Sequence, residues 1–408
     1  MHNWLERAVV LHPDRAAVEP GPGQGVSYRD LAAAAAGLAA GLRADGVAPG
    51  TPVSLAGRGG ADFAATLHGI LLHGAVAVPV DGRLTEQELE LRRVDPQTLT
   101  AGTATAMFTS GTTSAPKPVH LSHGNWQANA IGSALALGLD PAERWLCVMP
   151  LAHVGGLSIL MRSAFYATTV VLHERFVADA VCAELMSARR RITLVSLVPT
   201  MLARLLDAGL TNPPTLRWAL LGGGPIPAAL LERAAAAGVP VAPTYGMTEG
   251  CSQIATFGVP LHGVQLAFEA GEIVVRGPSF AANRLDADGW LRTGDLGELD
   301  AGGRLRIIGR KADTIVSGGE NVAPAEVEAA LLEHPDVVDA GVFSREDEEW
   351  GEAVVATVVL RDGAQLSEEA LRSFAAQRLA RFKVPKQIQV ASALPRTVSG
   401  KLLRRELR

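Results

Sequence analysis

The 408-residue sequence contains only three cysteines, Cys147, Cys182 and Cys251. They have no metal-ligand spacing, and an odd number without pattern fits a reducing compartment, here the cytoplasm. Positive charge is not in excess. The formal net charge of -5 argues against a dedicated nucleic-acid binder. The first residues, Met1-His2-Asn3-Trp4-Leu5-Glu6-Arg7, lack a basic stretch followed by an apolar one, so no signal peptide is expected. Apolar runs such as 32–40 are rich in Ala and Gly and too short to cross a bilayer. There is no internal repeat and no low-complexity linker. What is present is 48% hydrophobic and 19% charged, the composition of a well-buried globular protein. The length exceeds what one core usually supports, so two or more domains are expected.

Short apolar runs alternate with amphipathic stretches over the first 245 residues. The pattern predicts strands at 53–56, 75–80, 145–149, 169–172, 193–197 and 216–221. It predicts helices at 61–72, 156–166, 177–190, 200–208 and 227–237. Alternation of this kind implies an α/β fold of parallel sheets covered by helices, with ligands at the carboxyl ends of the strands. After Gly263 the runs at 272–276, 290–292 and 305–308 are separated by Gly/Asp turns, which predicts a small antiparallel β-subdomain. Gly309-Arg310-Lys311-Ala312-Asp313 is expected to interrupt it. Helices at 324–333 and 367–379 and strands at 337–343 and 352–359 then suffice for a compact α+β domain. The expected division is a large domain, 1–309, and a small one, 310–408.

Six segments carry candidate chemistry. Phe108-Thr109-Ser110-Gly111-Thr112-Thr113-Ser114-Ala115-Pro116-Lys117 empties an apolar run into hydroxyls, a glycine and a lysine. Such a loop offers N–H groups, hydroxyls and a point charge to a phosphate. It is not a Walker sequence, because the Gly spacing differs and Lys117 is not followed by Ser or Thr. Tyr245-Gly246-Met247-Thr248-Glu249 sets a hydroxyl beside a carboxylate. Beside a phosphate, that carboxylate makes sense with Mg²⁺ between them. Helix capping by Thr248 is the structural alternative. Leu221-Gly222-Gly223-Gly224-Pro225 permits close backbone approach to a ring or phosphate, or simply makes a tight turn. Asp295, in Thr293-Gly294-Asp295-Leu296-Gly297, is suited to accept both ribose hydroxyls, and equally to a turn. Arg310, with Ser317-Gly318-Gly319-Glu320, and Lys401, in Pro395-Arg396-Thr397-Val398-Ser399-Gly400-Lys401, complete the set. For these last two, a surface linker and a solvated charge run are the plain alternatives.

Taken in order, these segments resemble the adenylate-forming superfamily of acyl-CoA synthetases, carrier-protein adenylation domains and beetle luciferases. The likeness is collinear over essentially the whole chain. Residues 149–163, which include His153 and Arg162, together with 169–174, 221–225 and 245–254, further resemble o-succinylbenzoate–CoA ligases of menaquinone biosynthesis. The resemblance implies a large adenylation domain and a small mobile domain carrying the terminal lysine. It also implies two half-reactions, in which ATP converts a carboxylate to an acyl-adenylate and coenzyme A then displaces AMP. Thr109, Ser110, Gly111, Thr112, Thr113 and Lys117 would hold the β- and γ-phosphates. Thr248 would contact the α-phosphate, and Glu249 would bind Mg²⁺. Gly222, Gly223, Gly224, Tyr245, Asp295 and Arg310 would hold the nucleoside. Lys401 would bridge the reacting carboxylate and the α-phosphate. After rotation, Gly318 and Gly319 would line the path of coenzyme A.

o-Succinylbenzoate has two carboxylates, so the one that does not react needs a cation in a mostly apolar pocket. Arg162 lies nine residues after His153 on a stretch of Leu, Ile and Met, where an unpaired Arg is costly. It is the candidate partner, unless it snorkels to solvent or pairs with a local acid. His153 is a gate near the acyl carbon or a core histidine. Ser252, Gln253 and Gly246 are further candidates at the substrate. Expected partners are therefore a small carboxylic acid, ATP and coenzyme A. Neither nucleic acid nor membrane insertion is expected, and a homodimer is the candidate assembly. Three departures stand out. Ser114 occupies a usual glycine position, Ala312 a usual Asp or Lys hinge position, and the stretch between Val80 and Thr105 is short, as if a βα element were trimmed. Two other readings remain open: a ligase for another aromatic or medium-chain acid, and a nucleotide-binding homologue impaired in catalysis.

Overall fold

A computed structural model describes residues 4–19, 25–56, 60–109, 116–396 and 402–407. Its largest sheet has nine strands. From one edge they run Val259–Pro260, Ser252–Thr256, Val241–Met247, Trp218–Leu221, Leu194–Leu197, Arg144–Cys147, Thr169–Leu172, Ala16–Glu19 and Val26–Ser27. The six strands from Val241–Met247 to Ala16–Glu19 are mutually parallel, and antiparallel strands close both edges. The central strands are apolar on both faces because both are covered. Helices Tyr28–Ala44, Ala61–His73 and Val154–Tyr166 contribute to one core, and Ala178–Met186, Pro199–Asp207 and Ala228–Ala236 to the other.

A second sheet orders Pro52–Ala56, Val76–Val80, Thr103–Phe108 and Pro118–Ser122. The Ala-rich helix Tyr28–Ala44 packs closely on helix Ala61–His73 because position 69 is glycine; a Cβ there would lie 2.7 Å from Leu38 Cβ. A third, antiparallel sheet orders Gln265–Glu269, Glu272–Arg276, Leu291–Leu299 and Leu305–Arg310. The fourth sheet comprises Glu320–Val322, Ile315–Ser317, Gly351–Leu360, Val337–Asp347 and, parallel to Gly351–Leu360, Gln387–Val390. Helices Pro324–Leu332 and Glu368–Ala376 share its core.

The expected α/β class, with a β-subdomain and a smaller α+β unit, is what is found. Several boundaries differ. The helix expected over 177–190 ends at Met186, and the short stretch between Val80 and Thr105 holds a turn-and-a-half of helix, Glu86–Glu90, capped by Thr85. The run 290–292 extends to Leu299, so Thr293-Gly294-Asp295 lies within a strand rather than a turn. Gly309 and Arg310 do not interrupt the third sheet; they end its last strand, and the break comes at Lys311.

Candidate active site

The strand Val241–Met247 runs into a 3₁₀ turn, Thr248–Gly250, and returns as Ser252–Thr256. Gly246 faces the returning strand so closely that a Cβ would lie 1.7 Å from the Ser252 carbonyl oxygen. Cys251 and Ser252 take φ values of 60° and 97°, a left-handed conformation that costs non-glycine residues about 1 kcal/mol or more each. The cap position of the turn belongs to Met247 and has no side-chain cap bond, so Thr248 is not the N-cap. Thr248 and Glu249 are half-buried at the end of the parallel strand run. Among the described residues no group of three or more His, Cys, Asp or Glu side chains forms a metal cage. Mg²⁺ at this place would rest on Glu249 and on substrate phosphates, which suits an ion that keeps few protein ligands.

The hydroxyl of Tyr245 donates to Asp295 Oδ2 at 2.7 Å, and Arg310 Nε lies 2.7 Å from Oδ1. Strand pairing sets this up, because Asp295 is directly opposite Arg310. The Asp295 backbone N–H donates to Thr293 Oγ1, whose hydroxyl donates to the Ile273 carbonyl. Burial and the adjoining Asp295 carboxylate push the Tyr245 phenol well above its ordinary pKa. Three residues read separately from the sequence thus form one Tyr–Asp–Arg constellation. Gly222 is fixed by packing, since its Cβ would lie 2.7 Å from the Thr244 carbonyl oxygen. Gly223 has φ +81°, and Gly224 is open on the Cβ side.

His153 occupies the N-cap position of helix Val154–Tyr166 without a side-chain cap bond. Burial lowers its pKa, against the opposing field of Asp81. Nine residues on, Arg162 is 1% exposed. Its Nη2 donates to Asn129 Oδ1 at 2.5 Å, and its guanidinium lies 5.6 Å from the Trp145 ring centroid. Nε and Nη1 have no hydrogen-bond partner, and no acid pairs with it among the described residues. Neither snorkelling nor a local acid therefore accounts for it. Burial lowers its pKa, with Tyr166 and Cys251 opposing. Asn129 also donates to the carbonyls of Gly250 and Gln253, which ties Arg162 to the Thr248–Gly250 turn. Ser158, one turn before Arg162, donates to Ser252 Oγ at 3.4 Å. Gln253 is buried. Its amide donates to Thr256 Oγ1, and its Oε1 has no partner among the described residues. Sequence reasoning missed Asn129, whose only signal was a polar residue on the inner side of a helix.

Pairing of Phe108 with Pro118 puts Thr109 and Lys117 together at the end of a two-stranded ribbon. Asn283 and Arg284 brace that end through bonds to the Pro118 and Lys117 carbonyls. Ser110, Gly111, Thr112, Thr113, Ser114 and Lys401 lie outside the described residues. Gly318 and Gly319, with φ of 60° and 83°, make the two-residue turn between Ile315–Ser317 and Glu320–Val322. Gly318 is pressed on Trp350, and Lys386 Nζ lies 3.9 Å from that ring's centroid; neither partner was foreseen.

The family model described as AMP-binding enzyme matches residues 5–96 and 92–283, and that of the AMP-binding enzyme C-terminal domain matches 326–401. The two stretches of the first meet inside the segment that reads as trimmed. A 2-succinylbenzoate–CoA ligase of Bacillus cereus (strain Q1) is 38% identical over 477 residues, covering 100% of this chain and 98% of the relative. Among solved structures, the o-succinylbenzoate CoA synthetase of Bacillus subtilis in complex with the acyl-adenylate intermediate OSB-AMP matches with TM-score 0.90 and 36% identity, covering 100% of this chain and 98% of that one. The same enzyme with ATP and magnesium ion matches at TM-score 0.89 and 35% identity, covering 99% of each chain. A double mutant of it bound with its product analogue OSB-NCoA matches at TM-score 0.71 and 36% identity, covering 100% and 98%.

Proposed function

Because the chain belongs to the family of AMP-binding enzymes, we propose that it is an acid–thiol ligase that activates o-succinylbenzoate and transfers it to coenzyme A. In the first step a carboxylate oxygen of the acid bonds to the α-phosphorus of ATP as the bond to the β-phosphate bridging oxygen breaks, releasing pyrophosphate. In the second the thiol sulfur bonds to the acyl carbon, the acyl–oxygen bond breaks, and AMP and a proton leave. The first step is a displacement at phosphorus, where positioning and charge neutralisation supply most of the rate.

Asp295 receives the ribose hydroxyls, held in place by Tyr245 and Arg310. Thr248 contacts the α-phosphate, and Glu249 with substrate phosphates holds Mg²⁺, which neutralises charge on them when bound. Thr109, Ser110, Gly111, Thr112, Thr113 and Lys117 hold the distal phosphates, while Gly222, Gly223 and Gly224 flank the adenine. His153, whose pKa burial lowers, stands by the acyl carbon. Ser252, Gln253 and Gly246 border the acid. Lys401, carried by a mobile domain that follows the last strand of the third sheet, Leu305–Arg310, bridges the two reactants. Gly318 and Gly319 pass coenzyme A. The cation–aromatic face of Lys386 and Trp350 beside them suits its nucleotide.

The observation that carries the choice of acid is Arg162, a fully buried cation with two donor groups unpaired and no carboxylate beside it among the described residues. A substrate with a second carboxylate supplies what it lacks. All three cysteines are free and buried, which fits the cytoplasmic setting proposed for the chain; no helix among the described residues is long and apolar enough to cross a membrane. A homodimer remains part of the proposal.

The test is pyrophosphate release with ATP, Mg²⁺ and a panel of acids headed by o-succinylbenzoate, with and without coenzyme A. Release and thioester formation confined to o-succinylbenzoate is the expected result. Release with monoacids alone contradicts the choice of acid but keeps the ligase, and silence across the panel contradicts both.

A further inference from the structure

The chain passes from the third sheet to the fourth through a very short segment. Strand Leu305–Arg310 ends the third, Ile315–Ser317 begins the fourth, and one 3₁₀ turn, Lys311–Asp313, lies between. The two ends of that turn are held by opposite bodies. Lys311 Nζ lies 2.8 Å from Glu272 Oε2, on the third sheet. The Glu272 side chain is 6% exposed against 58% for Lys311. Its other oxygen accepts the Gly294 N–H at 3.0 Å, one residue from Asp295. Lys311, foremost, holds the Glu272 carboxyl below its ordinary pKa.

Asp313 faces the other way. Its Oδ2 accepts Arg404 Nη1 at 2.8 Å. Arg404 Nη2 donates to both oxygens of Glu328 at 2.8 Å, and its Nε donates to the Val342 carbonyl at 3.1 Å. Glu328 is buried on helix Pro324–Leu332 and also accepts the Val342 N–H. One guanidinium therefore joins the turn, a helix and a strand of the small unit, from a position three residues beyond Lys401. Between the two anchors stands Ala312, which has only a methyl group to offer either side.

We propose that Lys311 and Arg404 are positioning residues that confine rotation of the small unit to Ala312, by fastening the residue before it to the nucleotide-holding sheet and the residue after it, through Arg404, to helix Pro324–Leu332 of the small unit. A charged hinge side chain is dispensable on this account, because the neighbours of Ala312 carry the fixing charges. A turn fastened on both flanks rotates about few dihedrals, so the small unit swings between defined positions. The Bacillus subtilis enzyme in complex with its acyl-adenylate matches this structure at TM-score 0.90, and a double mutant of it bound with its product analogue matches at 0.71. The inference rests on the reading above that the two half-reactions use different positions of this unit.

The test has two arms on the full-length chain. In the first, spin labels on Glu232→Cys and Glu369→Cys, both exposed positions, report the distance distribution between the bodies without turnover. The native cysteines are buried. With ATP and Mg²⁺, the parent should give a narrow distribution. Lys311→Met and Asp313→Asn should each broaden it, and Lys311→Arg should restore it. Glu272→Gln serves as a second variant for the near anchor. In the second arm, adenylate formation and thioester formation from supplied acyl-adenylate are timed separately. Arg404→Lys should slow the first by about tenfold and the second by less than threefold, since only the first needs Lys401. Unchanged widths in both Lys311→Met and Asp313→Asn, or equal slowing of both steps by Arg404→Lys, would overturn the proposal. Should no acid react, the label arm still decides it.

Discussion

At the residue scale Arg162 is the unusual feature. A cation removed from water costs several kcal/mol, and one neutral amide at 2.5 Å with a distant indole does not offset that. Such a residue lowers stability, and on the proposed reading a bound carboxylate offsets that cost. Arg162→Met should therefore stabilise the ligand-free protein by about 1–4 kcal/mol in denaturant unfolding, with the midpoint rising at constant m-value. A loss of stability would mean that the Asn129 bond is the reason for the residue. Part of this was legible in the sequence, because an Arg among Leu, Ile and Met asks for a partner. That the partner is neither solvent nor a nearby acid was not, since Asn129 and Trp145 come from other elements. Asp295 was likewise read for its chemistry but not its setting. Gly-Asp-Leu-Gly looks like a turn until strand pairing sets Arg310 opposite and Tyr245 alongside.

At the element scale, Ala16–Glu19 is the last parallel strand of the large sheet and is held at its end by charge. Glu19 pairs with Arg144 Nη2 at 2.6 Å and Arg190 Nη1 at 3.4 Å. The hydrogen bond from Arg144, before the opposing effect of burial, lowers the Glu19 pKa. A depressed carboxyl contributes stability that is full above its unfolded value, 4.5, and is lost as pH falls through the folded value. Unfolding free energy should thus fall below about pH 4.5, and Glu19→Gln should flatten that limb while costing about 2 kcal/mol at pH 7. A parallel acid limb in the variant would show that the pair does not matter. This strand was not foreseen; Ala-Ala-Val-Glu has too little apolar length to stand out. The return strands Pro118–Ser122 and Ser252–Thr256 escaped for a similar reason, being half polar. The interior strands were legible because both their faces are covered, which forces continuous apolar runs.

At the scale of the whole molecule, the order of motifs along the chain carried the most information. Three of the sheets and one helix carry the site: Glu249 follows a strand of the first sheet and Thr109 a strand of the second, Asp295 on the third bonds Tyr245, and Arg162 is tied to Gly250 through Asn129, although these residues are far apart in sequence. The short 81–104 segment leaves the second sheet intact, with Thr103–Phe108 joining Val76–Val80 in parallel. Its loss is therefore no reason to expect loss of the site. Two half-reactions on one chain should separate by mutation. Lys401→Ala should lower adenylate formation by about 100-fold or more, while thioester formation from supplied acyl-adenylate stays within about threefold. Equal loss of both would remove Lys401 from the role given to it.

The most direct measurement is a comparison of two acids on two proteins. KM for o-succinylbenzoate and for a benzoate-type monoacid is determined with the parent chain and with Arg162→Ala. A buried charge–carboxylate contact predicts that KM for the diacid rises about 100-fold while that for the monoacid stays within about threefold. Parallel changes for both acids would contradict recognition of a second carboxylate by Arg162, and with it the choice of o-succinylbenzoate.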